Sequence, residues 1–334
     1  MFVSRSVVRL FLSLFVVLVL FQTLSILHSR NYYNYLYFAR IETSATTIPD
    51  RIFPCSRNEN YVGNCHARKF NVDGLLNNSR VVIAATIRDH AQQIATVRPS
   101  VERVAAQFKD SAILIVENDS EDDTRTELLQ WAEENPSVKI LGCGVNSPSC
   151  KMNFDKTKAH NHYHSRIFKM ATIRNKYIDY LKDNYSDWDY LIVWDIDIEG
   201  TMFMEGLYHT LDQFQNNKEI DGICSYGIHP HFWLGWLYYD PFAHEEMQPD
   251  PSGVNHDKYV QMKLWWTLQR GMPLHPVRSC FGGLTTYRIS SIVSTNTTYK
   301  YSNPEEPVVC EHVFFNEPLN MYLNPSQIFA VIKN

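Results

Sequence analysis

No C-x-x-C pair occurs among the seven cysteines (Cys55, Cys65, Cys143, Cys150, Cys224, Cys280 and Cys310), which argues against a zinc ribbon. Positive charge is not in excess: a formal net charge of −5 gives no footprint for nucleic acid. No acidic residue precedes the long apolar run from Val7 to Leu27, and no A-x-A pattern follows it. A cleaved signal peptide has an apolar region of only about 7 to 15 residues ending in such small residues. This run is instead close to the roughly 20 residues that a bilayer span requires. Arg5 precedes it and Arg9 interrupts it near its N-terminal end, so the positive-inside rule puts residues 1–6 in the cytosol. The expectation is an uncleaved, single-pass type II anchor over 7–27.

What remains, roughly 300 residues, suits one large or two small domains. Hydrophobic residues make up 45% of the chain, enough for a sizeable core. Nineteen Tyr, eighteen Phe and seven Trp serve cores and sugar-binding clefts equally well, and composition does not separate these uses. All the cysteines follow the anchor, and an exoplasmic domain lies where disulfides persist. Cys55–Cys65 and Cys143–Cys150 are plausible short-range bridges, and the odd count leaves at least one thiol over. Sequons at Asn77, Asn118, Asn184 and Asn296 fit a lumenal domain, with Asn118 expected to stay unmodified inside a candidate site. Residues 28–78 show little periodicity and read as a stem; the globular domain is expected over 79–334.

The domain is organised around Tyr190-Leu-Ile-Val-Trp-Asp-Ile-Asp-Ile-Glu-Gly200. An apolar run with β-branched and aromatic members reads as a buried strand of a parallel sheet. Asp195 and Asp197, at i and i+2, would project to one side at its carboxyl end, where ligands of open α/β sheets sit. Two adjacent carboxylates repel unless a cation lies between them, and a hard divalent ion shared with substrate phosphates satisfies both. A polar turn that caps the next helix is the plain alternative.

Upstream, the run Arg80–Asp89 reads as a strand over Val81–Ile87 that ends in polar residues, Ile94–Phe108 as a helix, Ala112–Val116 as a strand and about Thr124–Glu134 as a helix. That alternation predicts a parallel sheet with right-handed crossovers. The loop Glu117-Asn-Asp-Ser-Glu-Asp-Asp-Thr124 sits at the same sheet edge, so Glu117 or Asp119 can accept from ribose hydroxyls or a base N–H, or simply cap the helix. His160, His162 and His164 lie in a polar loop over 141–165, read as surface rather than as a metal site. A strong helix spans Arg166–Asn184 and carries Arg174, either ion-paired or positioning the Asp-x-Asp strand. Thr201–Gln215 is expected to be helical and Gly222–His229 a strand. Gly282-Gly283 permits a close backbone approach beside a ligand, or a plain turn. In Val309-Cys-Glu-His-Val-Phe-Phe315, Glu311 is a candidate acid or base and His312 a candidate metal ligand.

In combination, Val81–Ile87, Ile113-Leu-Ile-Val-Glu-Asn-Asp-Ser, Arg174-Asn175, Trp194-Asp-Ile-Asp, Phe281-Gly-Gly-Leu-x-x-Tyr-Arg and Cys310-Glu-His-Val resemble a GT-A-fold glycosyltransferase. The set is most similar to the fungal capsule-associated α-1,3-mannosyltransferases and, more distantly, to the Golgi mannan-polymerase mannosyltransferases, over about residues 80 to 315. Glu121-Asp-Asp departs from the Gly that such loops often carry before the Thr. The resemblance implies an α/β, GT-A-like (Rossmann-like), mostly parallel sheet flanked by helices, following the transmembrane segment. It implies a nucleotide-sugar donor, GDP-mannose first, a glycan acceptor, and Mn2+ or Mg2+. Thr86, Arg88, Glu117, Asp119, Arg174 and Asp195 would hold the donor; Asp195, Asp197 and His312 the metal; Gly282 and Gly283 the acceptor; Asp197 and Glu311 would be catalytic. Anchor and family together point to the Golgi. A nucleotidyltransferase of the same fold is disfavoured by the anchor and by the lack of a glycine-rich phosphate loop. A catalytically silent, membrane-tethered glycan-binding protein is the other alternative.

Overall fold

The computed structural model describes residues 15–20, 22–23, 44–45, 47–48, 50, 53–56, 72–154, 162–231, 235–248, 260–261, 263–264 and 267–333. They form a mixed α/β domain around a central sheet. The strands are β1 Ser44–Ala45, β2 Arg80–Ile87, β3 Asp110–Glu117, β4 Val138–Leu141, β5 Tyr190–Trp194, β6 Glu199–Phe203, β7 Gly222–His231, β8 Gly235–Tyr238, β9 Glu245–Glu246, β10 His275–Ser279, β11 Leu284–Arg288 and β12 Met321–Lys333. The helices used below are α1 Asp73–Leu76, α2 Ala91–Ala105, α3 Thr124–Glu134, α4 His162–Asn184, α5 Met204–Asn216, α6 Ile289–Ser294 and α7 Glu311–Asn316.

The strand order is β1-β6-β12-β7-β11-β5-β2-β3-β4. β2 is apolar almost throughout because both its faces are covered. Val82 and Ala84 pack toward Ala171, Tyr177, Ile178 and Leu181 of α4. Val81, Ile83 and Ala85 pack toward Val97 and Val101 of α2 and Leu211 of α5. Successive side chains on a strand point to opposite faces, so this alternation splits the core into two layers, one on each side of the sheet.

Register then places the site. β2 pairs with β3 in parallel with Thr86 opposite Val116 and Ile87 opposite Glu117. β5 joins the other side of β2 with Ala84 opposite Val193. Continued by two residues, that register brings Asp195 level with Thr86, at the carboxyl edge of the parallel strands.

The expectation of a mostly parallel sheet holds for β4-β3-β2-β5 and fails beyond it. Among the described residues, six of the eleven strand pairings are antiparallel. A parallel neighbour needs a crossover of about a dozen residues or more. The chain after β5 has fewer of these: β8 runs antiparallel to β7, with Tyr238 opposite Ile228, and β11 enters from the Gly282–Gly283 turn running against β5. A second correction concerns 201–203. Helix was expected from Thr201, but Thr201 and Met202 are in β6, paired with Ala330 and Phe329 of β12, and the helix α5 starts at Met204. A contact more than a hundred residues away in sequence decides that segment.

Of the expected anchor, residues 15–20 and 22–23 are helical, with Thr23 Oγ1 donating to the Val19 carbonyl at 2.8 Å. The rest of it, and residues 1–6, lie outside the described residues. No helix among the described residues is long and apolar enough to cross a membrane. The described parts of the segment read as a stem are built into the domain. β1 pairs with Met202 and Phe203, and Ile48 and Phe53 are buried. Arg270 Nη1 donates to Asp50 Oδ1 at 2.6 Å and to the Phe53 carbonyl at 3.2 Å.

Cys143–Cys150 forms as expected, Cys224 bonds Cys280, and Cys310 is a buried free thiol. Cys55 is disulfide-bonded, while its expected partner Cys65 lies outside the described residues. Asn118 is buried, whereas Asn77, Asn184 and Asn296 are exposed. His164 Nε2 lies 3.0 Å from the Glu306 carbonyl oxygen; His160 falls outside the described residues.

Candidate active site

Arg174 is the hub. Helix α4 crosses beneath the carboxyl ends of β2 and β5, and its inward face carries this guanidinium into the interior. Nη2 donates to Asp195 Oδ1 at 3.3 Å and Nε to Glu311 Oε1 at 3.1 Å. Side-chain exposure is 5% for Arg174, 17% for Asp195 and 6% for Glu311, so one cation serves two carboxylates almost out of water. Nη1 donates to the Tyr177 hydroxyl at 3.4 Å, and the guanidinium lies 5.3 Å from the Phe281 ring and 5.8 Å from that of Tyr299. Aromatic faces favour such a desolvated cation. Arg174 is therefore ion-paired, and its contact with Asp195 is compatible with the reading that it positions the Asp-x-Asp strand.

One arginine is not enough for the acids around it. Burial, opposed by Arg174 and reinforced by Asp197, pushes the Asp195 carboxyl up to about 7. Burial also raises Asp197, against the pull of Arg174 and, more weakly, of His90 and Arg166. Asp240 is raised well above the usual carboxylate range, by burial and then by Asp195 and Glu311, with Arg174 and Arg166 opposing. Asp240 was missed in the sequence, although it is the only acid in the aromatic run 231–242. It follows β8 with a left-handed backbone, φ 61°, at a position where an L residue is costly.

Asp197 opens onto a cavity of about 440 Å3 that also gathers Thr86, Arg88 and Asp119, four of the residues expected at the site. Among the other lining residues, Phe154, Arg166 and Lys169 were not anticipated. Arg166, Lys169 and Ile173 recur at helical spacing on α4, and that periodicity is the signal that would have found them. Lys169 Nζ lies 5.5 Å from the Phe154 ring. Arg174, Asp195 and Glu117 stand outside this lining. Glu117 is fully buried, ion-paired with Arg125 and accepting the Ser120 N–H at 3.0 Å, so it shapes the loop rather than meeting a ligand. Arg88 pairs with Asp89 at 3.0 Å in an exposed setting.

Asp119 ties the loop to the next segment. Its backbone is left-handed (φ 55°), its N–H donates to the Cys150 carbonyl at 3.1 Å, and its Oδ1 accepts the Met152 N–H at 3.0 Å. The Cys143–Cys150 bridge therefore fixes the strand of chain that carries Phe154 over the cavity. Cys143→Ser/Cys150→Ser is expected to cost about 2 kcal/mol of stability, since the closed loop is short. Loss of pre-organisation should weaken binding of the nucleotide-sugar donor that the sequence resemblance implies about tenfold. Calorimetric titration checks this, and unchanged affinity in a folded double variant would show that the bridge does not hold the cavity wall.

His312 is not where a metal ligand was expected. Its ring stacks on Phe281 (4.1 Å between centroids) and meets the edge of Tyr299 (5.4 Å), inside the aromatic shell around Arg174. Burial and the nearby Arg174 hold it well below the usual histidine range. Both ring nitrogens lack a hydrogen-bond partner. Among the described residues no three His, Cys, Asp or Glu side chains are grouped to hold a metal ion, so Asp195, Asp197 and His312 do not assemble as a set. The pair Asp195 and Asp197, half-buried and short of positive charge, does fit a hard divalent ion completed by phosphate oxygens. Gly282 and Gly283, expected to face an acceptor, are buried with φ 63° and 84°. A side chain at Gly282 would collide with the Ser225 carbonyl, and the Gly283 carbonyl accepts the Asp195 N–H at 2.9 Å. The turn thus holds Asp195 from behind.

Comparison with curated proteins yields no match. Among solved structures, the chain is similar to the mannosyltransferase PcManGT from Pyrobaculum calidifontis in complex with GDP-Man and Mn2+: 9% identity, 76% of this chain, 56% of that chain, TM-score 0.43. It is similar to S. aureus TarS 1-349 in complex with UDP-GlcNAc at 9% identity, 75% of this chain, 58% of that chain and TM-score 0.37. The chain thus spans less than two thirds of either structure, and the assignment rests on sequence. The family model described as cryptococcal mannosyltransferase 1 matches residues 80–317, from the start of β2 past the end of α7. Because that match covers well over half of the chain and includes the Arg174 hub and the cavity beside it, the chain belongs to the cryptococcal mannosyltransferase family of glycosyltransferases.

Proposed function

We propose that the chain transfers a mannosyl residue from GDP-mannose to a glycan hydroxyl in a GT-A-like active site that uses Mn2+ or Mg2+. The observation that carries this reading is one cavity in which Asp197, Arg166, Lys169 and Phe154 converge at the carboxyl edge of the sheet. Arg166 and Lys169 meet phosphate charge, and Phe154 offers a flat apolar face to a base. Thr86, Arg88 and Asp119 supply donors and acceptors for the nucleoside. Asp195 and Asp197 would hold the divalent ion, whose chemistry when bound is to neutralise charge on the departing nucleoside diphosphate. Arg174 keeps Asp195 oriented.

An α-linked donor that gives an α-linked product reacts with retention, and retention needs no general base at the acceptor. Glu311 suits that case: Oε1 accepts from Arg174 and Oε2 lies 3.6 Å from Cys310 Sγ, so its role is to orient the site. The apolar segment 7–27 is proposed as a type II signal anchor that holds the catalytic domain in the Golgi lumen.

Thermal denaturation of the chain with GDP or UDP, each with and without Mn2+, tests the reading. A ligand that binds only the native state at a hundred times its Kd adds about 2.7 kcal/mol of stability. The expected result is a shift with GDP that requires Mn2+. A response to UDP alone would keep the enzyme and replace the donor. No shift with either nucleotide would overturn transfer in favour of a membrane-tethered glycan-binding protein.

A further inference from the structure

A second cavity, about 610 Å3, shares no lining residue with the donor pocket. Its volume is within the range of small-molecule sites. It opens between β10 and the start of β12 on one side and the outer face of α7 on the other. Among the described residues its charged groups are Glu245, Glu317 and Arg278, and half-buried Phe314 and Tyr322 add ring surface. Arg278 Nη1 is 3.6 Å from Glu245 Oε2, too far for a strong hydrogen bond, so both retain bonding capacity toward a ligand.

That lining selects a chemical class. Two carboxylates against one guanidinium repel an anionic ligand. A lipid tail would strip water from three charged groups without replacing it. A sugar chain satisfies both parts: hydroxyls donate to Glu245 and Glu317 and accept from Arg278, while C–H faces lie on the rings of Phe314 and Tyr322. We propose that this cavity is a carbohydrate subsite that holds a neutral oligosaccharide portion of the acceptor, separate from the donor pocket.

Continuity of the chain links it to the reaction. Val313 and Phe314 follow directly on Glu311 and His312, and Arg278 leads through Ser279–Phe281 into the turn whose Gly283 carbonyl holds Asp195. A sugar chain seated here presses on both segments that position the buried acids. The assignment to the acceptor rests on the glycosyl-transfer reading; the binding of sugar does not.

The test is calorimetric titration of the whole chain with linear α-mannotetraose and, in parallel, with a heparin-derived tetrasaccharide. Arg278→Ala and Glu317→Ala remove exposed side chains, so the fold and the Mn2+-dependent GDP shift should stay as in the parent. Each is expected to lower mannotetraose affinity about tenfold, the worth of one hydrogen bond to a charged group. Parent-like affinity in both variants, preference for the heparin fragment, or no binding of mannotetraose would each overturn the subsite. Binding that is lost in the variants while no nucleotide shifts the melt would leave the subsite standing and remove the donor reading.

Discussion

Arg174→Met is expected to cost about 3–5 kcal/mol of folding stability, the usual consequence of removing one partner from a buried ion pair. Methionine keeps most of the stem volume between Phe281 and Tyr299 but leaves Asp195 and Glu311 facing each other without a counter-charge. The cost should depend on pH. At low pH Asp195, whose carboxyl is already pushed up by burial, can take up a proton and lose its charge, so the penalty shrinks; at high pH it cannot, and the penalty is felt in full. Urea unfolding of parent and variant near pH 5.5 and pH 8 measures this. An equal cost at both, or one below about 1 kcal/mol, would show that the arginine does not neutralise the acids. Arg174→Lys should recover only part of the loss, because an ammonium cannot present the fork that reaches both carboxylates.

Asp197→Ala should have the opposite profile: little or no loss of stability and a loss of function. Burial already penalises this carboxylate, so its removal relieves a cost. Transfer should fall about a thousandfold, in the range seen when a group that stabilises transition-state charge is deleted, and the Mn2+-dependent part of the GDP shift should vanish. The parent carries a pH signature of the same site. Asp195 has its folded value raised to about 7 from an ordinary 3.8. The folded state therefore binds the proton more tightly than the unfolded chain, and without cation stability falls as pH rises through the window between those two values. The proposed divalent ion would bind the deprotonated pair and offset that loss, so the Mn2+ shift should be small near pH 5.5 and grow toward pH 8. An ion-induced shift that is flat with pH would place the metal elsewhere.

The parallel half of the fold was readable because its signals are local. Tyr190–Trp194 and Thr124–Glu134 have the observed bounds, since an apolar run buried on both faces and a capped amphipathic helix each carry their own ends. Strand ends then predicted where Thr86, Asp119 and Asp197 meet. What was not readable depends on distant pairing. Thr201 looks like the start of a helix until Ala330 lies beside it. Glu117 looks like a ligand group until Arg125 claims it. His312 has the chemistry of a metal ligand, yet its ring is sequestered by Phe281 and Tyr299, residues that only the folded sheet brings to it. Chemical type was legible from sequence; which acid is spent inside the protein and which faces a substrate was not.

The pairing of β1 with β6 bears on where this domain can be cut. A fragment beginning at residue 79 would lose Ser44–Ala45 and leave the backbone amides and carbonyls of Met202–Phe203 bare along a sheet margin. It would also take Asp50 and the Phe53 carbonyl away from the buried guanidinium of Arg270, which would keep Glu205 at 3.8 Å. An open margin of this kind recruits strands from other chains, so such a fragment should self-associate in solution, whereas one that keeps residues 44–56 carries its own cover.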